Sequence, residues 1–81
     1  MVKTTVKIDG MMCNNCEAHM NEAFKALYPD AKKVKSSHEK HESIIVTEEE
    51  LDEETVKKAV EDTGYTYVTM VSEPYKKGLF G

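Results

Sequence analysis

The stretch VKTTVKIDGMMCNNCEAHMNEAFKAL, residues 2–27, decides the fold, because its hydrophobic periodicity changes once along its length. Over residues 2–8, apolar side chains alternate with polar ones, which is typical of a strand with one buried face. Residues 9–10 (Asp-Gly) end the alternation. After them, apolar side chains recur at steps of four, four and three, at Cys16, Met20, Phe24 and Leu27. This spacing predicts a helix with one apolar stripe directly after the strand.

The next segments alternate between weak and strong strand signals. Asn14 or Asn15 is expected to cap the first helix, and Pro29 to end it. Residues 31–38 are mostly polar, so we expect a polar edge strand there, followed by a solvated turn over residues 38–42. Residues 43–47 (SIIVT) are dense in β-branched side chains and predict a central strand.

The second helix carries clear signals at both ends. Asp52 is a suitable N-cap, and acidic residues 53–54 follow in the first turn, where the helix dipole favours negative charge. Leu51 and Val56 are spaced as a hydrophobic staple, and Gly64 stands where a left-handed C-cap residue belongs. The expected buried face consists of Val56, Ala59 and Val60.

A last strand is expected over residues 65–71, although its alternation does not show which face is inward. The element order is then β-α-β-β-α-β. This order predicts an α+β, ferredoxin-like fold, with a four-stranded antiparallel sheet and two helices on one face. We expect residues 1–72 to form the domain and residues 73–81 a C-terminal tail. The starting methionine and this tail favour an intact small protein over an excised module.

Composition excludes several classes of function. The chain has 81 residues, with 11 basic against 15 acidic side chains and a net charge of −4, and every basic side chain is lysine. Nucleic acid is therefore not an expected partner, since phosphate binding needs clustered positive charge. No apolar run is long enough to insert into a bilayer, and no signal peptide is evident. We expect a cytoplasmic location, in which the two cysteines stay mostly reduced.

The chemistry of the chain is concentrated in residues 10–16 (GMMCNNC). Cys13 and Cys16 supply two thiols that a loop can turn towards one ion, and thiolates suit Cu(I), Hg(II) or Zn(II). Cys16 falls in the first turn of the predicted helix, where unpaired N–H groups favour its thiolate form. Two sulfurs make a poor structural zinc site, which needs four ligands. They suit an ion with low coordination, and they leave room for an incoming thiolate, as a carrier requires.

In this context the chain resembles the heavy-metal-associated (HMA) domain family, which includes copper chaperones, modules of copper-transporting P-type ATPases, and mercury carriers. The family pattern Gly-Met-x-Cys-x-x-Cys is matched by Gly10, Met11, Cys13 and Cys16. The Gly-Tyr pair before the last strand is matched by residues 64–65. The resemblance covers about residues 2–72.

The resemblance implies roles for single residues. Cys13 and Cys16 would be the metal ligands, Met11 would tuck under the loop and fix its shape, and Tyr65 would shield the site. Cu(I) would pass by sulfur exchange to a metal-transporting P-type ATPase or another CxxC protein. Cys13 would meet that partner first while Cys16 holds the ion. The protein would not be an enzyme, and it would be a monomer without metal, with a metal-bridged dimer possible.

Other functions stay open at this point. Zn(II), Cd(II) or Hg(II) could be carried instead, and Glu17, beside Cys16, would favour zinc or cadmium if it turned towards the metal. A thiol–disulfide oxidoreductase would also use a CxxC pair. Metal binding would separate it from turnover of a disulfide substrate. A third alternative is an adaptor domain whose contacts depend on metal.

Several further residues have an ordinary and a functional interpretation. Met12 stands where the family commonly has Thr, and its expected role is exposed packing rather than ligation. His19 is expected to point away from the cysteines. His38 and His41 are expected in a solvated turn, but topology brings that turn to the metal end, where an auxiliary metal-binding or pH-sensitive role is the alternative. The acidic residues 48–54 are expected to be a solvated surface, and otherwise a docking patch for a lysine-bearing partner.

Overall fold

The computed structural model describes residues 1–11 and 14–74 of the chain. Its elements, in chain order, are β1 (Val2–Asp9), α1 (Asn14–Leu27), β2 (Lys33–Ser37), β3 (Glu42–Thr47), α2 (Glu53–Asp62) and β4 (Thr66–Pro74). The strands form one antiparallel sheet in the order β2-β3-β1-β4. The predicted ferredoxin-like α+β fold is confirmed. Within the described residues, neither helix has the length and apolar character that crossing a bilayer would require.

The core lies between one face of the sheet and the two helices. Its fully buried members are Val6, Ile8, Met11, Met20, Phe24, Ile45, Val56 and Val60. The predicted stripe of α1 holds at Met20 and Phe24 but not at Leu27, which is 38% exposed. Leu27 is the last residue of α1, and it borders an open groove between the helices together with Ala23 and Ala59.

The termini of the helices follow the local signals with one exception. Asp52 caps α2, and its carboxylate accepts a hydrogen bond from the Thr55 amide at 3.1 Å. Gly64 follows the C-cap with φ +96°, a conformation that glycine adopts without steric cost. α1 begins at Asn14, so Asn14 and Asn15 both lie inside its first turn, and the prediction that one of them caps the helix is wrong.

A bulge in the pairing of β4 with β1 explains why the alternation of apolar and polar residues in β4 does not show which face is inward. The register against β1 shifts between Lys7 and Ile8, so one extra residue of β4 enters at this bulge and the two faces exchange parity. Ile8 pairs with Tyr67, and Val6 pairs with Met70. β4 also continues through Pro74, which pairs with Val2, so it extends past the boundary predicted after residue 72. Residues 75–81 of the predicted tail lie outside the described residues.

The predicted polar edge strand is present as β2, and its polarity has a structural role. Ser36 faces α1 and is 6% exposed. Its hydroxyl donates to Oδ1 of Asn21 at 2.8 Å and lies 2.7 Å from the hydroxyl of Ser43. A serine can serve both contacts, since it carries one donor and two acceptor positions. α1 and β2 are therefore joined by a part-buried hydrogen bond between Asn21 and Ser36.

Candidate metal-binding site

One end of the sheet gathers the segments that flank the cysteine motif. β1 ends there at Asp9, which pairs with Thr66 at the start of β4. The turn between β2 and β3 lies at the same end, because the amide of Ile8 donates to the carbonyl of His41 at 2.9 Å. α1 begins here as well, at Asn14. The described residues on either side of Met12 and Cys13 thus lie at the same end of the sheet as the β2–β3 turn and the start of β4.

The N-terminal half of the motif is anchored by the core. Gly10 has φ +104°, in the region that glycine tolerates best. A Cβ placed on Gly10 would lie 3.5 Å from Cδ1 of Tyr65, so the tyrosine packs against this point of the backbone. The next side chain, Met11, is fully buried in the core cluster. Met11 is thus buried and Tyr65 lies beside Gly10, as the family resemblance implied, while their roles in shaping the loop and shielding a metal stay predictions.

Cys16 is the cysteine of the motif that the structure describes. It is the third residue of α1, half-buried, and it packs against the core cluster. The first turn of a helix has unpaired backbone N–H groups and the positive end of the helix dipole, and both favour a thiolate. Met12 and Cys13 lie outside the described residues, so the pairing of Cys13 with Cys16 as ligands stays a prediction.

Glu17 turns towards the β2–β3 turn. Its Oε2 accepts hydrogen bonds from the backbone amide of His38 at 2.7 Å and from Nδ1 of the same residue at 2.5 Å. These hydrogen bonds, the backbone one first, lower the pKa of the Glu17 carboxyl. An ionised carboxylate can only accept hydrogen bonds, so Nδ1 of His38 is assigned as the donor of this contact. The interpretation of His38 as a purely solvated turn residue is wrong, because its side chain is only 28% exposed.

The two other histidines that the sequence singled out are exposed. His19 is exposed on α1, and His41 is exposed at the turn with φ 55°. Among residues 1–11 and 14–74, no three His, Cys, Asp or Glu side chains come close enough together to hold a metal ion. Sequence reasoning missed the contact between Glu17 and His38. The available signal was topological, since both residues were expected at the same end of the sheet.

The acidic segment lies at the other end of the molecule. Thr47, the last residue of β3, pairs with Val2, the first residue of β1. Residues 48–50 follow directly, and they are exposed, as are residues 52–54 at the start of α2. The prediction of a solvated acidic surface is confirmed, and this surface does not border the cysteine motif.

Comparison with known proteins is consistent with this geometry. Residues 5–66 match the model of the family described as the heavy-metal-associated domain. A mercuric reductase of Lysinibacillus sphaericus is 31% identical over 65 residues, which are 80% of this chain and 12% of that protein. The chain thus spans a small part of that relative.

Solved structures that share the fold include a copper transporter domain and a metallochaperone. The yeast copper transporter domain CCC2A, studied in apo and Cu(I)-loaded states, superposes with a TM-score of 0.71 at 21% identity and covers 85% of this chain and 97% of its own. A CopZ metallochaperone superposes with a TM-score of 0.68 at 19% identity, over 82% of this chain and 98% of its own. At such identities the likeness concerns the fold alone.

Proposed function

Because this chain belongs to the heavy-metal-associated domain family, we propose that it binds one soft metal ion through Cys13 and Cys16 and transfers it to a partner protein. The proposed ion is Cu(I). The observation that carries the proposal is the placement of Cys16. It lies in the first turn of α1, at the end of the sheet where the buried Met11 anchors the other half of the motif.

Cu(I) is favoured by the donor set. Two thiolates provide soft ligands at low coordination number, which suits Cu(I) and leaves zinc short of its usual four ligands. One structural neighbour is a copper transporter domain studied in a Cu(I)-loaded state, which supports copper as the proposed cargo. Hg(II) is the second candidate ion, because the sequence relative is a mercuric reductase. Zn(II) and Cd(II) are further possibilities for a carrier of this fold.

Transfer follows from the chemistry of an open two-sulfur site. A thiolate of the partner adds to the bound ion, a three-coordinate intermediate forms, and one original sulfur leaves. Cys16 is fixed by its helix and by the core, so it is suited to hold the ion during this exchange. Cys13 is the proposed first contact of the partner, which would be a P-type ATPase or another protein with a CxxC pair. The proposed compartment is the cytoplasm, and the protein would act as a carrier without catalysing a reaction.

Anaerobic competition for Cu(I) against a chelator of known affinity tests the site. We expect one tightly bound Cu(I) in the wild type, weakened binding in Cys13→Ser and Cys16→Ser, and none in the double variant. Met12→Leu is the control, because it removes the thioether next to Cys13 in the sequence and should leave Cu(I) binding unchanged. Tight Cu(I) binding that persists in the double variant would overturn the assignment.

Two added measurements separate the alternative functions. Catalytic reduction of insulin by the metal-free protein would indicate a thiol–disulfide oxidoreductase and contradict the carrier proposal. Gel filtration with and without Cu(I) tests the adaptor alternative and the oligomeric state. We expect a monomer without metal. The adaptor alternative would be favoured if a partner bound stably only in the presence of metal and no metal were transferred to it.

A further inference from the structure

We propose that His38 is a specificity-determining residue, which withholds the carboxylate of Glu17 from the cysteine site and so keeps that site selective for Cu(I) over Zn(II). The inference rests on the proposed metal-binding function of Cys13 and Cys16. It assigns His38 a positioning role, exerted through Glu17, and no contact with the metal.

Glu17 is the carboxylate next to a proposed ligand in the chain. It directly follows Cys16 and lies in the same first turn of α1. A carboxylate there is a natural third ligand for a divalent ion, if its side chain turns towards the sulfurs. Instead, a single oxygen of Glu17 accepts two hydrogen bonds from His38, at 2.7 Å and 2.5 Å. The direction of Glu17 is therefore set by the β2–β3 turn.

The surrounding contacts hold this arrangement in place. One turn further along α1, Asn21 is joined to the buried Ser36 of β2. α1 is thus connected at two successive levels, by Glu17 to His38 of the β2–β3 turn and by Asn21 to Ser36 of β2. In the Glu17–His38 pair, both side chains are only partly accessible, with exposures of 23% for Glu17 and 28% for His38. Within the described residues, no set of three ligands that could hold a metal is formed around Cys16.

Ligand chemistry links this position to metal selectivity. Carboxylate oxygen is a hard donor, which zinc uses readily to complete a tetrahedral site, whereas Cu(I) gains little from it. Release of Glu17 would therefore raise the affinity for Zn(II) and leave that for Cu(I) nearly unchanged. Replacing a residue that hydrogen-bonds a group at a metal site typically changes the metal affinity about 10–100-fold. A variant of the His38 side chain keeps the backbone amide that also binds Glu17, so we expect a change near the lower limit.

The test compares Zn(II) and Cu(I) affinities of variants by chelator competition under anaerobic conditions. In His38→Ala we expect the ratio of Zn(II) to Cu(I) affinity to rise about 10-fold. Glu17→Gln in the same background should abolish the rise, because the amide is a poor zinc ligand. His38→Asn should keep the wild-type ratio, since its side-chain amide can replace the Nδ1–H donor. A matched control, Glu22→Gln in the His38→Ala background, removes an exposed carboxylate of α1 and should preserve the rise.

The outcomes separate this inference from the proposed function. If the wild type binds Cu(I) through its cysteines but His38→Ala leaves the ratio unchanged, the inference is overturned and the proposed function stands. A raised ratio that persists after Glu17→Gln also overturns the inference. If Cu(I) binding does not depend on the cysteines, the proposed function fails, and this inference fails with it. Circular dichroism at 222 nm confirms that each variant is folded before its affinities are compared.

Discussion

Substitution of Met11 tests whether the core supports the cysteine motif through packing. The side chain is fully buried in the core cluster, one position after the glycine that opens the loop. Truncation of a buried methionine to alanine removes its transfer free energy and leaves a cavity, which costs about 2–5 kcal/mol. A domain of this size has a total free energy of unfolding of about 4–12 kcal/mol. Met11→Ala is therefore expected to remove a large part of the stability of the fold.

The assay is unfolding by urea or heat, followed by circular dichroism at 222 nm. A loss of about 3 kcal/mol should lower the Tm by about 12–24 °C, because each kcal/mol corresponds to about 4–8 °C in a domain of this size. Met11→Leu conserves the volume and should cost less than about 1.5 kcal/mol. Met20→Ala is the matched control, since Met20 is an equally buried methionine of the same core.

Metal binding then distinguishes packing from ligation. If Met11 only supports the loop, Met11→Leu should bind Cu(I) as tightly as the wild type does. Met11→Ala, measured at low temperature where it is folded, should bind Cu(I) more weakly than Met20→Ala does, because Met11 is part of the segment that carries the cysteines and Met20 lies further along α1. The reasoning is refuted if Met11→Ala costs less than about 1 kcal/mol, or if Met11→Leu loses Cu(I) binding.

Three other substitutions test separate parts of the fold. Ser36→Ala should cost about 1–3 kcal/mol in urea unfolding, because it leaves the buried hydroxyl of Ser43 without its Ser36 contact; no measurable loss would contradict the role of this contact. Gly64→Ala should cost about 1–2 kcal/mol through its positive φ alone, since a Cβ there would meet nothing within 4 Å; an unchanged Tm would contradict it. Burial, and then the hydrogen bond to Glu53, raise the pKa of Tyr67 to about 12. The folded state thus keeps a proton that the unfolded state loses near pH 10, and stability should fall as pH rises from about 10 to 12. Tyr67→Phe should lose less stability between pH 9 and 11 than the wild type, and an equal or larger loss would refute this.

The elements that the sequence predicted well are those whose signals are local. β1, α1 and α2 are marked by periodicity, and α2 also by a cap at Asp52 and a glycine at position 64. These features depend on the residues within one element, so a single sequence suffices to read them. The burial of Met11 was predicted for another reason, namely the family pattern that surrounds the cysteines.

The features that escaped prediction depend on residues far apart in the chain. The inward face of β4 is decided by a register shift against β1, which no periodicity within β4 can show. The end of β4 likewise depends on pairing with Val2. Glu17 and His38 meet only because α1 packs beside β2 and the turn that follows it, and neither residue is unusual in its own segment. Leu27 is exposed because α1 ends next to an open groove, which the helical stripe alone does not reveal.

X-ray absorption spectroscopy of the Cu(I)-loaded protein tests the central claim most directly, because it identifies the atoms bound to the metal. The two proposed ligands, Cys13 and Cys16, predict a first shell of two sulfur atoms, with no nitrogen or oxygen neighbour, in the monomeric protein. Replacement of either cysteine by serine should remove one of these sulfurs. A first shell dominated by nitrogen or oxygen, or one that is unchanged when both cysteines are replaced, would contradict the claim.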